Sequence, residues 1–122
     1  MKLSKSEEKI MGYLWQLKRA SLKEIINCYP DPKPAMTTVA TLLKRMVDKA
    51  VIAFEQEGKA RMYYPVVEKK TYFSKNLNDI VTRFFDDSPI QFASFFTKES
   101  DFSKEELEDL KKIIDQQIKN LE

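Results

Sequence analysis

Ala35-Met-Thr-Thr-Val-Ala-Thr-Leu-Leu-Lys-Arg-Met-Val-Asp-Lys-Ala50 is the stretch on which the fold turns. Val39, Leu42, Leu43, Met46 and Val47 recur at i, i+3, i+4, i+7 and i+8, one apolar stripe of an amphipathic helix that must face a core. By the same period Thr38, Thr41 and Arg45 project from the opposite side, with Thr37 and Lys44 beside them. A merely solvated face would carry more glutamate; this one carries hydroxyls and cations suited to phosphates and base edges.

Working outward, the C-terminal neighbour of this helix is a hairpin. Val51–Glu57 and Arg61–Val67 read as strands joined around Gly58-Lys-Ala60. A lone hairpin is marginal, so Ile52, Phe54, Met62 and Tyr64 are expected to pack it onto the helices. On the N-terminal side, Pro30-Asp-Pro-Lys-Pro34 cannot continue a helix, because each proline lacks a donor and biases its predecessor away from helical dihedrals. Ser21 with Glu24 caps a short helix before that turn, with Leu22, Ile25, Ile26 and Tyr29 on one face. Ser4 or Ser6 can cap a first helix, Glu7 three residues after Ser4 fitting a capping box, and its Ile10, Met11, Leu14, Trp15 and Leu17 form a broad apolar face, Trp15 being the expected core anchor.

Composition removes several functional classes. The 122 residues include no histidine, which excludes His-dependent triads and most zinc patterns. Two glycines, Gly12 and Gly58, cannot build a phosphate-cradling loop, so no nucleotide cofactor and no metal are expected. Cys28 is the lone cysteine and reads as a small buried or half-buried apolar residue among Ile25, Ile26 and Tyr29. Paired acids such as Glu105-Glu106 are simplest as a solvated helix face, and no enzyme is expected. No apolar run reaches the ~20 residues of a membrane span, and Met1-Lys-Leu-Ser-Lys-Ser6 leads into charged residues, so a cytoplasmic location without membrane insertion is expected.

The net charge of +2 hides a division. Residues 1–70 hold 14 basic against 8 acidic residues, and residues 71–122 hold 7 against 11. The basic part is expected to be a winged-helix DNA-binding domain, and 71–122 a helical dimerisation domain. In that second part Thr71–Asp86 reads as a helix, Asp86-Asp-Ser-Pro89 as its break, Ile90–Phe96 as a short helix, and Ser103 with Glu106 as the cap of a last helix. Phe73, Leu77, Ile80 and Phe84, with Leu107, Leu110, Ile114 and Leu121 near heptad spacing, need a partner surface, most simply a second copy of the chain. Folding back onto the N-terminal core is the alternative.

Helix, helix, turn, amphipathic helix and basic hairpin form an ordered constellation: a mainly α fold with one small antiparallel hairpin, the winged helix-turn-helix. The outer face of the third helix would enter a major groove. There Thr37, Thr38 and Thr41 can reach base edges and phosphates, and Lys44 or Arg45 guanine or backbone. At the wing Lys59 and Arg61 would approach neighbouring backbone or minor groove, though a hairpin tip is often simply hydrophilic. Lys5 and the amides opening the first helix could hold another phosphate. A dimer should then read a pseudo-palindrome in double-stranded operator DNA. A winged-helix module that binds a protein partner is the competing reading.

The same residues resemble the penicillinase-repressor family of bacterial winged-helix proteins, which includes repressors of β-lactamase and methicillin-resistance genes and copper-responsive relatives. Leu3-Ser4, Glu8, Ile10-Met11 and Leu14-Trp15 are similar to its opening, and Ile25 to its second helix. Thr37-Thr-Val-Ala-Thr-Leu-Leu-Lys-Arg-Met46 resembles its recognition helix, Gly58, Arg61, Tyr64 and Pro65 its wing, and Asp101–Leu110 its last helix. The resemblance implies a homodimeric transcriptional repressor, derepressed in the β-lactam branch by cleavage of its C-terminal region after a membrane sensor–protease detects the antibiotic. The family's scissile Asn-Phe pair falls here at Phe95-Phe96, so the same protease specificity is not expected. The ending Ile118-Lys-Asn-Leu-Glu122 lacks the copper-responsive cysteine motif, and Ala50 stands where the family often has glycine.

Overall fold

The computed structural model describes residues 2–122. Its elements are α1 (Lys5–Leu17), α2 (Leu22–Cys28), α3 (Met36–Asp48), β1 (Ile52–Glu57), β2 (Ala60–Pro65), α4 (Lys69–Phe84), α5 (Pro89–Glu99) and α6 (Lys104–Asn120). The chain is mainly helical with one antiparallel hairpin, the winged helix-turn-helix arrangement. It divides into two compact units, one ending at Asn76 and one beginning at Leu77.

Local chemistry sets the helix starts. The Ser4 hydroxyl accepts from the Glu7 amide at 3.2 Å while the Glu7 carboxylate accepts from the Ser4 amide at 2.8 Å. Ser21 with Glu24 and Ser103 with Glu106 repeat this capping box on α2 and α6. Ser88, followed by Pro89 in the first turn, caps α5. That helix runs to Glu99, longer than the expected segment ending at Phe96, because no breaker stands before Ser100. The Lys33 ammonium in the proline turn donates to the Tyr29 carbonyl at 2.7 Å, satisfying an orphan acceptor where α2 ends.

The first unit closes on one core. Ile10, Met11 and Leu14 of α1, Ile25 of α2, Val39, Leu43 and Met46 of α3, and Val51 and Ile52 before and within β1 are fully buried. Leu42 and Val47, the flanks of the α3 stripe, are only partly covered. Trp15 is also half-buried: its indole N–H donates to the Val67 carbonyl at 2.8 Å and its ring packs beside Tyr72 and Phe73. The deeper aromatic is Tyr72, whose hydroxyl donates to the Glu8 carboxylate at 2.6 Å. Leu17, at the end of α1, is exposed.

β1 and β2 pair in the register Ile52↔Pro65 to Glu57↔Ala60, leaving the two-residue turn Gly58-Lys59. Gly58 has φ +58°, the positive value that a twist-matched two-residue turn requires at its first central residue. The loop after α1 adds a rudimentary third strand, since Ala20 and Tyr63 exchange both backbone hydrogen bonds at 2.9 and 2.7 Å. Phe54, expected against the helices, shares a face with the buried Ile52 but stands two residues further along the ladder, outside the core cluster and 36% exposed.

In the second unit Phe85 packs against Phe92 and Phe95, and Phe96 against Phe92 and Phe102, with centroids 5.2–5.9 Å apart. Leu107, Ile113, Ile114, Ile118 and Leu121 of α6 remain exposed.

Where α3 meets the hairpin, the Ala50 amide bonds the Val47 carbonyl at 2.9 Å and the Val51 amide the Met46 carbonyl at 3.1 Å. These are the two bonds of a Schellman motif, and they force Ala50 to φ +60°, where a Cβ is strained. Relief of that strain, less the entropy glycine adds to the unfolded chain, should make Ala50→Gly more stable by about 0.5–1 kcal/mol. A denaturation midpoint that fell would contradict this account of the turn.

Candidate nucleic-acid interface

α3 presents its polar face at an open groove lined by Thr37, Thr38, Thr41, Leu42 and Arg45 of α3 and by Ser6 of α1. The structure therefore brings together four of the residues singled out from sequence and adds two. Leu42 was assigned to the buried stripe, but its place at the stripe's edge leaves it forming the groove wall. Ser6 is free to take part because Ser4 does the capping. Its signal was legible only as a second hydroxyl beside a cap.

Each group has a defined chemistry. The Thr41 hydroxyl donates to the Thr37 carbonyl at 2.8 Å, so its outward side offers oxygen lone pairs and a methyl group. That suits an amino group or an apolar base edge better than a phosphate. Arg45 makes no ion pair among the described residues and keeps its guanidinium donors free. α3 begins at Ala35 with no side chain on its first amides, unlike the capped α1, α2, α5 and α6.

Lys44 is exposed but does not line the groove. Lys5, in the first turn of α1, is exposed next to Ser6, and the helix itself leaves the amides of both without partners. At the hairpin, Lys59 occupies the turn and Arg61 is the second residue of β2, its guanidinium 4.5 Å from the Phe54 ring centre. The wing's acids, Glu55 and Glu57, alternate onto the other face of β1, where Arg19 holds them at 3.3 and 2.6 Å. Lys5, Lys44, Arg45, Lys59 and Arg61 thus make no ion pair among the described residues, while the wing's Glu55 and Glu57 are held by Arg19.

The relation between α1 and α3 depends on a charge buried between them. Glu7 is 1% exposed, and the Lys49 ammonium at the end of α3 donates to both its oxygens, at 2.8 and 3.0 Å. Burial alone pushes the Glu7 carboxyl up. The hydrogen bonds from Lys49 and Ser4, with the Lys49 charge, outweigh it and hold the carboxyl below its ordinary value of 4.5.

Among the described residues no helix is long and apolar enough to cross a membrane, and no cluster of candidate metal ligands occurs. Three helices followed by an antiparallel hairpin, with a polar face on the third helix, define a winged-helix domain.

The chain belongs to the penicillinase repressor family, whose model matches residues 3–116. It is 26% identical over 113 residues to the methicillin resistance regulatory protein MecI of Staphylococcus aureus, covering 92% of each chain. To the penicillinase repressor of Bacillus licheniformis it is 21% identical over 115 residues, covering 93% of this chain and 90% of that one. The solved CopR repressor structure matches with 33% identity and a TM-score of 0.47, over 56% of this chain and 100% of that one. The family is one of transcriptional repressors, not of enzymes.

Because the folded Glu7 carboxyl is held low, its contribution to stability is complete above the unfolded value and is lost as pH falls through the folded one. Glu7→Gln, which leaves Lys49 facing a neutral group, should cost about 1–3 kcal/mol at neutral pH. The gap between the wild-type and variant denaturation midpoints should shrink as pH drops below about 4.5. A gap independent of pH would show that the pair does not carry this linkage.

Proposed function

We propose that the protein is a homodimeric transcriptional repressor that binds pseudo-palindromic operator DNA, each protomer reading one half-site with α3 and bracing on the backbone with its wing. The observation that carries this is the groove in which Thr37, Thr38, Thr41 and Arg45 stand together with Ser6 beside unpaired cations. Thr37, Thr38, Thr41 and Arg45, with Lys44 at the margin, supply the base-edge contacts. Lys5, Lys59 and Arg61 supply phosphate contacts.

Dimerisation is proposed through the second unit together with Phe73. Leu77, Ile80, Phe84, Leu107, Ile114 and Leu121 expose large apolar surface, and Leu110 lies partly covered beside the α6 residues. Three or more turns of such surface on α6 favour a second copy over solvent.

Derepression would follow an environmental signal such as a β-lactam, through loss of the dimer or C-terminal cleavage by a membrane sensor–protease system. Phe95 and Phe96 sit in the body of α5, so cleavage there requires that helix to unwind into a protease cleft. No cofactor takes part.

An operator selected from random duplexes tests the reading. Arg45→Ala and Thr41→Ala should each weaken binding by roughly tenfold or more, the value of one specific base contact. Wild-type affinity should fall steeply with salt as counterions are released. Unchanged affinity in both variants, or sequence-independent binding by the wild type, would favour a protein-interaction module instead.

Ile114→Asp places a charge at the centre of the exposed α6 seam without touching the first unit's core. Light scattering should then find monomers, and affinity for a two-half-site operator should fall by about 100-fold or more while single half-site binding is kept. A dimer that persisted would move the interface off α6.

A further inference from the structure

Phe54 stands outside the core cluster. It is 36% exposed on a short hairpin whose apolar needs are met by Val51 and Ile52, both buried. Its neighbours explain its position better than the core does. Phe54 pairs directly with Tyr63 across the ladder, with ring centres 5.6 Å apart. Arg61, two residues before Tyr63 and so on the same face, lays its guanidinium 4.5 Å from the Phe54 centroid. Arg61 has no carboxylate partner among the described residues, and the wing's two acids are drawn to the opposite face by Arg19.

We infer that Phe54 is a positioning residue for DNA binding, a plate that holds the Arg61 guanidinium ready for a backbone phosphate. The inference rests on the proposed operator-binding reading. A free arginine side chain samples many rotamers, and ordering it on the ligand costs affinity; stacking on an aromatic face fixes the plane of the fork in advance. The contact with the ring takes up no hydrogen bond, and the Arg61 guanidinium has no ion-pair partner among the described residues, so its N–H donors stay available for a phosphate. An acidic partner would have fixed the same side chain but spent the charge that the phosphate needs. An aromatic partner fixes it and leaves the charge unspent.

The experiment is a double-mutant cycle on the full chain with the selected operator. Phe54→Leu keeps an apolar, strand-compatible side chain and removes the aromatic face; Phe54→Tyr keeps the face; Arg61→Ala removes the cation. Arg61→Ala should weaken binding by about tenfold and lower the slope of log affinity against log salt by about 0.9, the signature of one lost phosphate contact, uniformly across operator sequences. Phe54→Leu should cost about threefold in the wild-type background and nothing further when Arg61 is already alanine, a coupling expected only of side chains that act together. Phe54→Tyr should bind as the wild type does.

Multiplying losses in the double variant would overturn the inference, as would a Phe54→Leu protein with wild-type affinity, or a Phe54→Tyr protein as weak as Phe54→Leu. Unlike these outcomes, a wild-type protein that selects no operator at all would refute the operator-binding reading itself. Thermal melting of each variant separates a folding defect from the coupling, because a hairpin that had merely come apart would also lose affinity in the Arg61→Ala background.

Discussion

A carboxylate taken out of water decides how this domain is assembled. Glu7 belongs to the first turn of α1, where it closes the capping box with Ser4, and the same side chain grips Lys49 at the far end of α3. Burying such a charge costs several kcal/mol unless hydrogen bonds replace its hydration. The Ser4 amide and the Lys49 ammonium do so at 2.8–3.0 Å. The net contribution to stability is modest on these terms; the pair also ties the first turn of α1 to the end of α3 through one side chain. Ser6 is brought to the edge of the α3 groove as a consequence. Lys49 is followed at once by the Ala50 turn, so the same pair helps set where the chain leaves α3 for the hairpin.

Much of this was readable in advance, and the reasons are local. Ser4/Glu7, Ser21/Glu24 and Ser103/Glu106 are capping boxes because a hydroxyl and a carboxylate three residues apart satisfy each other's amides whatever the rest of the chain does. The α3 stripe is likewise a property of period, and its three central members, Val39, Leu43 and Met46, are fully buried. Of the DNA-facing candidates, Thr37, Thr38, Thr41 and Arg45 needed only helical geometry to be placed together. What could not be read depends on residues far apart in sequence. Tyr72 meets Glu8 and Ala20 meets Tyr63 across separations that no periodicity encodes. Phe54 differs from its expected place for another reason: strand alternation puts it on the face of the buried Ile52 but does not say how far along the hairpin the core extends.

The polar surface follows a single economy of charge. Glu7 is matched by Lys49, and Glu55 and Glu57 by Arg19, so these three acids are paired with cations other than those proposed to meet DNA. Exposed pairs of the Arg19 kind add little to stability. Their effect is on the field: with these acids paired, Lys5, Arg45, Lys59 and Arg61 keep charges that no ion pair among the described residues takes up. The same separation explains why the chain as a whole is nearly neutral, at +2, while its first 70 residues are distinctly basic.

On the proposed reading, one such surface is too small to hold an operator by itself. A groove of six residues and a few phosphate contacts give an affinity that physiological salt erodes quickly. Joining two copies makes the second half-site contact intramolecular, at an effective concentration near millimolar for a short connection, and raises the total by about 10²- to 10⁴-fold with no new contact to DNA. On that reading the exposed seam of α6 belongs to the proposed DNA-binding apparatus although it touches no DNA. A signal that separates the seams has no need to reach the groove. It removes the multiplying factor, and each reading unit, still folded around Glu7 and Lys49, returns to an affinity at which the operator stands open.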